Sequence, residues 1–164
     1  MTPGARVAAA IDILDSIQSG QPAEQALTRW ARASRFAGSG DRAAIRDYVY
    51  DVLRNWRSDA CRGGGQTGRA LMIGRLRAEG VDISGLFDGV GHAPPPLSAE
   101  EAVSGEPPQT KEDIWNLPDW LVDAFTNSLG KRAEATAQAL TLRAPVTLRV
   151  NLRKTDPANA QARL

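Results

Sequence analysis

Apolar positions recur at helical spacing over most of the chain, and the period changes only near its C-terminal end. Val7, Ala10, Ile11, Leu14 and Ile17 share one face of a predicted helix that opens at Thr2-Pro3 and stops at Gly20. Threonine there is an N-cap, and proline suits the first helical position because its missing N–H has no partner to lose. Pro22 opens a second helix carrying Ala23, Ala26, Leu27 and Trp30, which ends before Gly38-Ser39-Gly40. Asp41 is the expected cap of a third, in which Ile45, Tyr48, Val49, Val52, Leu53 and Trp56 form an apolar arc. At about 100° per residue, Arg42, Arg46, Tyr50, Arg54 and Arg57 fall in the neighbouring sector, with Asp47 and Asp51 beyond them.

Arg62-Gly63-Gly64-Gly65-Gln66 reads as a flexible connector, and Thr67 caps a helix that runs to Glu79 and stops at Gly80. Residues 91–96, Gly-His-Ala-Pro-Pro-Pro, form a stiff linker, after which Ser98 and Glu101 make a capping box for a short helix closed by Gly105. Pro118 opens a helix bearing Leu121, Ala124, Phe125 and Leu129, and an alanine-rich helix covers residues 131–142. From Val146 the apolar residues Val146, Leu148, Val150 and Leu152 alternate with polar ones, which is strand patterning. Thr155-Asp156-Pro157 reads as the start of another helix. A lone strand is not stable, so the C-terminal end reads as part of a larger domain.

Charge sharpens this picture. The formal net charge of +1 hides three blocks. Residues 29–77 carry eleven Arg against four acids, residues 82–123 nine acids against Lys111, and residues 131–164 seven bases against Glu134 and Asp156. Basic blocks attract polyanions, although compositional drift is the plain alternative, since 17 of the 20 bases are Arg. With 42% hydrophobic residues the chain is too apolar for a disordered protein, and no apolar run nears the ~20 residues of a membrane span. The N-terminus has no export signal, so the cytoplasm is the expected location.

Enzymatic chemistry finds no foothold. Gly63-Gly64-Gly65 follows a helix, with no strand before it, and no Walker lysine exists among Lys111, Lys131 and Lys154. Cys61 and His92 are separated by a glycine connector and a helix, so they read as an inert thiol and a loop residue; no catalytic, metal or cofactor-binding residue is expected. Glu100-Glu101 and Glu112-Asp113 read as solvated charges at helix starts. Nucleic-acid binding remains. The planar fork of Arg makes bidentate phosphate contacts, so Arg42, Arg46, Arg54 and Arg57 are candidate RNA contacts, with Arg32 and Arg35 as auxiliaries. A solvated helix face is the competing reading, and Trp30, Tyr48 and Trp56 are expected in the core.

Two stretches resemble a known family. The run from Gly40 to Arg54, with Asp41-Arg42, Ile45-Arg46 and Val49-Tyr50-Asp51-Val52-Leu53-Arg54, is similar to a helix of the bacterial 16S ribosomal RNA cytosine-C5 methyltransferases of the Nop/Sun group, the Fmu or Sun proteins. Asn116-Leu117-Pro118-Asp119-Trp120-Leu121, then Pro145 to Asn151 and Lys154, resembles the same family's "P-x-W-L … P-x-x-L-R-V-N-x-x-K" junction.

The resemblance implies a mainly α chain: a NusB-like helical RNA-binding bundle over residues 1–90, a Pro/Gly-rich acidic linker with a short helix over 91–113, and over 114–164 the start of a truncated, RRM-like α/β domain containing Arg149 and Lys154. It implies a full-length enzyme that uses S-adenosylmethionine and two cysteines, neither matched by Cys61, so this chain itself takes no cofactor. The expected partner is 16S rRNA or another RNA, with the enzyme's own catalytic domain or a ribosomal protein as further partners and no membrane. A protein-docking module presenting the acidic stretch 82–123, and a free-standing NusB-like antitermination factor, are the alternatives.

Overall fold

The computed structural model describes residues 1–163, and its regular structure is helical throughout. In chain order come α1 (Pro3–Gln18), α2 (Ala23–Ala33), α3 (Ser39–Arg54), α4 (Trp56–Gly63), α5 (Gly68–Ala78), α6 (Ala99–Val103), α7 (Lys111–Trp115), α8 (Asp119–Leu129), α9 (Ala133–Thr141) and α10 (Pro157–Gln161), with a 3-10 turn at Gly130–Arg132. Thr2 caps α1 by accepting from the Ala5 N–H, as the sequence predicts.

Two apolar clusters organise these helices. The larger gathers Val7, Ala10, Leu14, Ile45, Val49, Val52, Leu71, Met72, Ile73 and Leu76, and Phe87 closes it from the loop after α5. Trp30, Tyr48 and Trp56 pack against it partly buried, in line with their expected places on apolar arcs. The smaller cluster joins Trp115 and Leu117 to Val122 of α8 and to Ala133 and Ala137 of α9.

Glycine decides how closely α4 and α5 approach. A Cβ on Gly74 would lie 1.9 Å from the Asp59 carbonyl oxygen, and one on Gly63 would lie 1.8 Å from that of Ala70. Only residues without side chains allow the two backbones to touch there.

Three expectations change. Asp41 stands in the first turn of α3 rather than at its cap: its carboxylate accepts from Gly38 N–H at 3.2 Å and pairs with Arg6 at 2.8 Å. The third helix does not run through Trp56. It breaks at Asn55, whose φ of −118° leaves the helical range, and α4 begins in a new direction. The predicted strand over Val146–Leu152 does not form among the described residues. Its apolar side chains, Val146, Leu148 and Leu152, stay exposed, because a strand gains its hydrogen bonds and its buried face only from a neighbour.

Candidate nucleic-acid interface

The candidate arginines fall into two environments. Arg32 lies on the outer face of α2, Arg35 on the turn after it, and Arg42 and Arg46 on the first half of α3; all four are exposed. The turn holds Arg35 outward because Ser34 and Ala37 are buried on either side and the Ala37 N–H donates to the Ser34 carbonyl at 3.1 Å. Arg42 is steadied at its root, with Nε donating to the Ala37 carbonyl at 3.0 Å, which aims the rest of the guanidinium away from the turn. Among the described residues Arg46 has one ion-pair partner, Asp47 at 4.0 Å, and it is 53% exposed, so its charge stays available to solvent anions.

A groove connects Arg32 to Arg42 and Arg46, with Arg35 outside it. One depression is lined by Glu24, Thr28, Arg29 and Arg32, the next by Glu24, Thr28, Trp30, Arg42 and Arg46, so Glu24 and Thr28 form the rim they share. Glu24 is the acid inside this basic surface, and it accepts from the Tyr50 hydroxyl at 2.6 Å, tying α2 to α3. That hydrogen bond is the main reason the Tyr50 pKa rises, since it favours the neutral phenol.

Arg54 and Arg57 are occupied elsewhere. Arg54 pairs with Asp51 one turn back, and its Nε donates to the Thr141 carbonyl at 3.2 Å, where α9 ends. Arg57, displaced from the α3 face by the break at Asn55, pairs with Asp113 at 3.0 Å and with Asp119 at 2.9 Å. The Asn116 carboxamide oxygen accepts from the Ser58 N–H at 3.0 Å in the same seam. Arg143, which helical patterning gave no reason to single out, reaches back to Asp47 at 3.5 Å and closes a pocket of about 210 Å3 with Arg46, Tyr50 and Arg54. Arg149 and Lys154 are exposed in the irregular segment after α9.

Two further arginines of the basic block, Arg69 and Arg77, hold the proline-rich stretch in place. Arg69 makes a two-point pair with Glu101, at 2.6 and 2.9 Å, and lies over the Phe87 ring at 4.9 Å. Arg77 donates to the carbonyls of Arg62 at 2.7 Å and Ser104 at 2.6 Å, and also to that of Glu101. Of the four carboxylates expected to be solvated, Glu101 and Asp113 are anchors instead: Arg69 draws the Glu101 pKa down to about 2, and Asp113 is fixed by Arg57. Arg75 faces Asp59, which is fully buried between α4 and α5. Their closest approach is 3.7 Å and neither Asp59 oxygen has a hydrogen bond, so burial pushes the Asp59 pKa up to about 7 despite the guanidinium.

No catalytic constellation stands beside this surface among the described residues. Cys61 is half-buried, and burial, then Asp113, raises its pKa, the reverse of an activated thiolate. No group of three or more metal-ligating side chains occurs there, and no helix is long and apolar enough to cross a membrane. At Gly64 the chain packs closely on itself: a Cβ there would meet Ser104 at 2.8 Å.

Residues 117–164 match the family model described as "Methyltr_RsmF/B-like, ferredoxin-like domain". The match takes in the second of the two stretches that carry the resemblance, from Leu117 onwards, and relates that segment to these methyltransferases; the bundle formed by α1 to α5 lies outside it. No curated protein and no solved structure matches the chain.

Proposed function

We propose that this chain is the RNA-recruiting portion of an S-adenosylmethionine-dependent ribosomal RNA cytosine-C5 methyltransferase, in which the helical bundle, NusB-like in character, holds small-subunit rRNA for a catalytic domain. The observation that carries the reading is the pairing of a methyltransferase-family segment at 117–164 with an exposed arginine groove on the bundle before it. Arg32, Arg35, Arg42 and Arg46 are the phosphate contacts. Arg54 and Arg57 contribute by fixing α3 and α4 against α7, α8 and the end of α9, and Arg149 and Lys154 belong to the ferredoxin-like segment.

Electrostatics gives the reading its physical form. A groove lined by four guanidinium groups, those of Arg29, Arg32, Arg42 and Arg46, releases counterions when phosphates enter, so affinity falls linearly with salt on logarithmic axes. The anisotropy of a fluorescein-labelled 16S rRNA hairpin, titrated with this chain from low to physiological salt, reads that slope. Micromolar or tighter binding with a slope of about −3 is expected from four contacts. Absence of binding at low salt refutes the RNA reading and leaves protein docking as the role of the bundle.

A further inference from the structure

A cavity of about 640 Å3 adjoins the arginine groove, and the two share Trp30 in their walls. That volume lies within the ~300–1,000 Å3 of ordinary small-molecule sites. Ala5 and Ala9 of α1 give it a shallow apolar floor, Phe36 and His92 stand at its sides, and Asp12 supplies a carboxylate. Two of these residues are unexplained by packing. Phe36 is 76% exposed, although the turn that carries it is anchored by buried Ser34 and Ala37. Asp12 has neither a hydrogen-bond nor an ion-pair partner for its carboxylate among the described residues.

We propose that this cavity takes one unpaired base of a bound RNA strand, stacked on Phe36, and that Asp12 selects guanine. The proposal rests on the RNA-binding reading above. An aromatic face exposed beside Arg35, at the end of a groove lined by Arg42 and Arg46, is what a strand needs to lay phosphates on guanidinium groups and turn one base inward. The same positive surroundings disfavour a basic protein segment as the occupant. Base choice follows from the carboxylate, which when ionised only accepts hydrogen bonds. The Watson–Crick edge of guanine presents two N–H donors side by side, N1–H and N2–H, and matches both oxygens. Adenine and cytosine set an acceptor next to their amino group, and uracil flanks its one N–H with two carbonyl oxygens.

The test uses the 1–164 chain and fluorescein-labelled twelve-residue oligouridines carrying a single central G, A or U, each titrated over a salt series. The G-containing strand is expected to bind about tenfold more tightly than the others, the size of one good carboxylate–base pairing. Asp12→Asn abolishes that preference, and Phe36→Ala weakens the G strand about tenfold, both with the salt slope unchanged. Arg42→Ala with Arg46→Ala does the reverse, keeping the preference and flattening the slope. Both Asp12 and Phe36 are solvent-exposed, so their variants retain the fold, and the thermal melt of each confirms it. Salt-steep binding with no base preference, or indifference to Phe36→Ala, overturns the base pocket and leaves the RNA reading standing; a cavity built for a partner protein's side chain gives that result. No binding to any strand at low salt overturns both.

Discussion

Arginines on α2 and α3 and arginines on α4 and α5 are equally numerous, five on each pair, and apart from Arg54 they meet opposite fates. On the first pair of helices, Arg32, Arg42 and Arg46 stay exposed around a groove whose main acid, Glu24, is already bonded to Tyr50, and Arg35 is exposed on the turn between them. On the second pair and its approach, Arg57, Arg69, Arg75 and Arg77 each hold a carboxylate or carbonyl of another segment. The acidic stretch that looked like a docking surface supplies several of those partners, Glu101, Asp113 and Asp119 among them. The difference teaches that a basic block splits according to what the chain folds back onto it. Where an acidic segment returns, arginine is mortar; where none does, it is left to bind something else.

The seam is the place to break the comparison hardest. Gly74→Ala puts a methyl group 1.9 Å from the Asp59 carbonyl and must separate α4 from α5, for an expected loss of ~3 kcal/mol or more in urea denaturation. Arg77→Ala strands the carbonyls of Arg62 and Ser104, with an expected cost of ~2 kcal/mol and faster proteolysis between residues 91 and 106.

The buried pair sets a pH dependence of known sign. The Asp59 pKa is raised from 3.8 unfolded to about 7 folded, so the folded state binds the proton more tightly. Its contribution is present in full below pH ~4 and is lost as pH climbs to ~7. Asp41 and Glu101, both lowered, act oppositely and favour the fold only above the acid range. Thermal melts are therefore expected to show a higher Tm at pH 5 than at pH 8, and Asp59→Asn to flatten that difference. An unchanged slope in the variant assigns the pH dependence to another group. Smallest of all is the effect of Arg42→Ala with Arg46→Ala on stability, within ~0.5 kcal/mol, because neither guanidinium is committed to the fold beyond one carbonyl contact.

Most helices were legible because each carries its own signal: Thr2 and Thr67 cap, Ser98 and Glu101 form a box, and Gly20 and Gly80 stop a periodic run. What the pattern hid are places where two readings share one period. Trp56 continues the apolar arc of α3 as well as it begins α4, so the break at Asn55 was invisible, and with it the removal of Arg57 from the basic face. The five-residue α7, which buries Trp115, was too short to show periodicity. Alternation at Val146–Leu152 is real in the sequence, but a ladder is a property of two segments. The shared face of Arg42 and Arg46 on α3 was legible from a helical wheel; the groove that α2 completes was not. Nor was the cavity beside it, because α1, the α2–α3 turn and the loop at His92 meet only in three dimensions.

The central claim is that α2 and α3 bind phosphate while the seam arginines do not. Salt-dependent RNA anisotropy on two matched double variants tests it most directly: Arg42→Ala with Arg46→Ala, and Arg69→Ala with Arg77→Ala. The first is expected to melt like the parent and to lose about 1.5 units of salt slope, near 0.7–0.9 per contact; the second is expected to melt early and, at a temperature where it is folded, to keep the parent slope. A parent-like slope in the first variant, or an equal loss in both, would contradict the division of labour between the two regions.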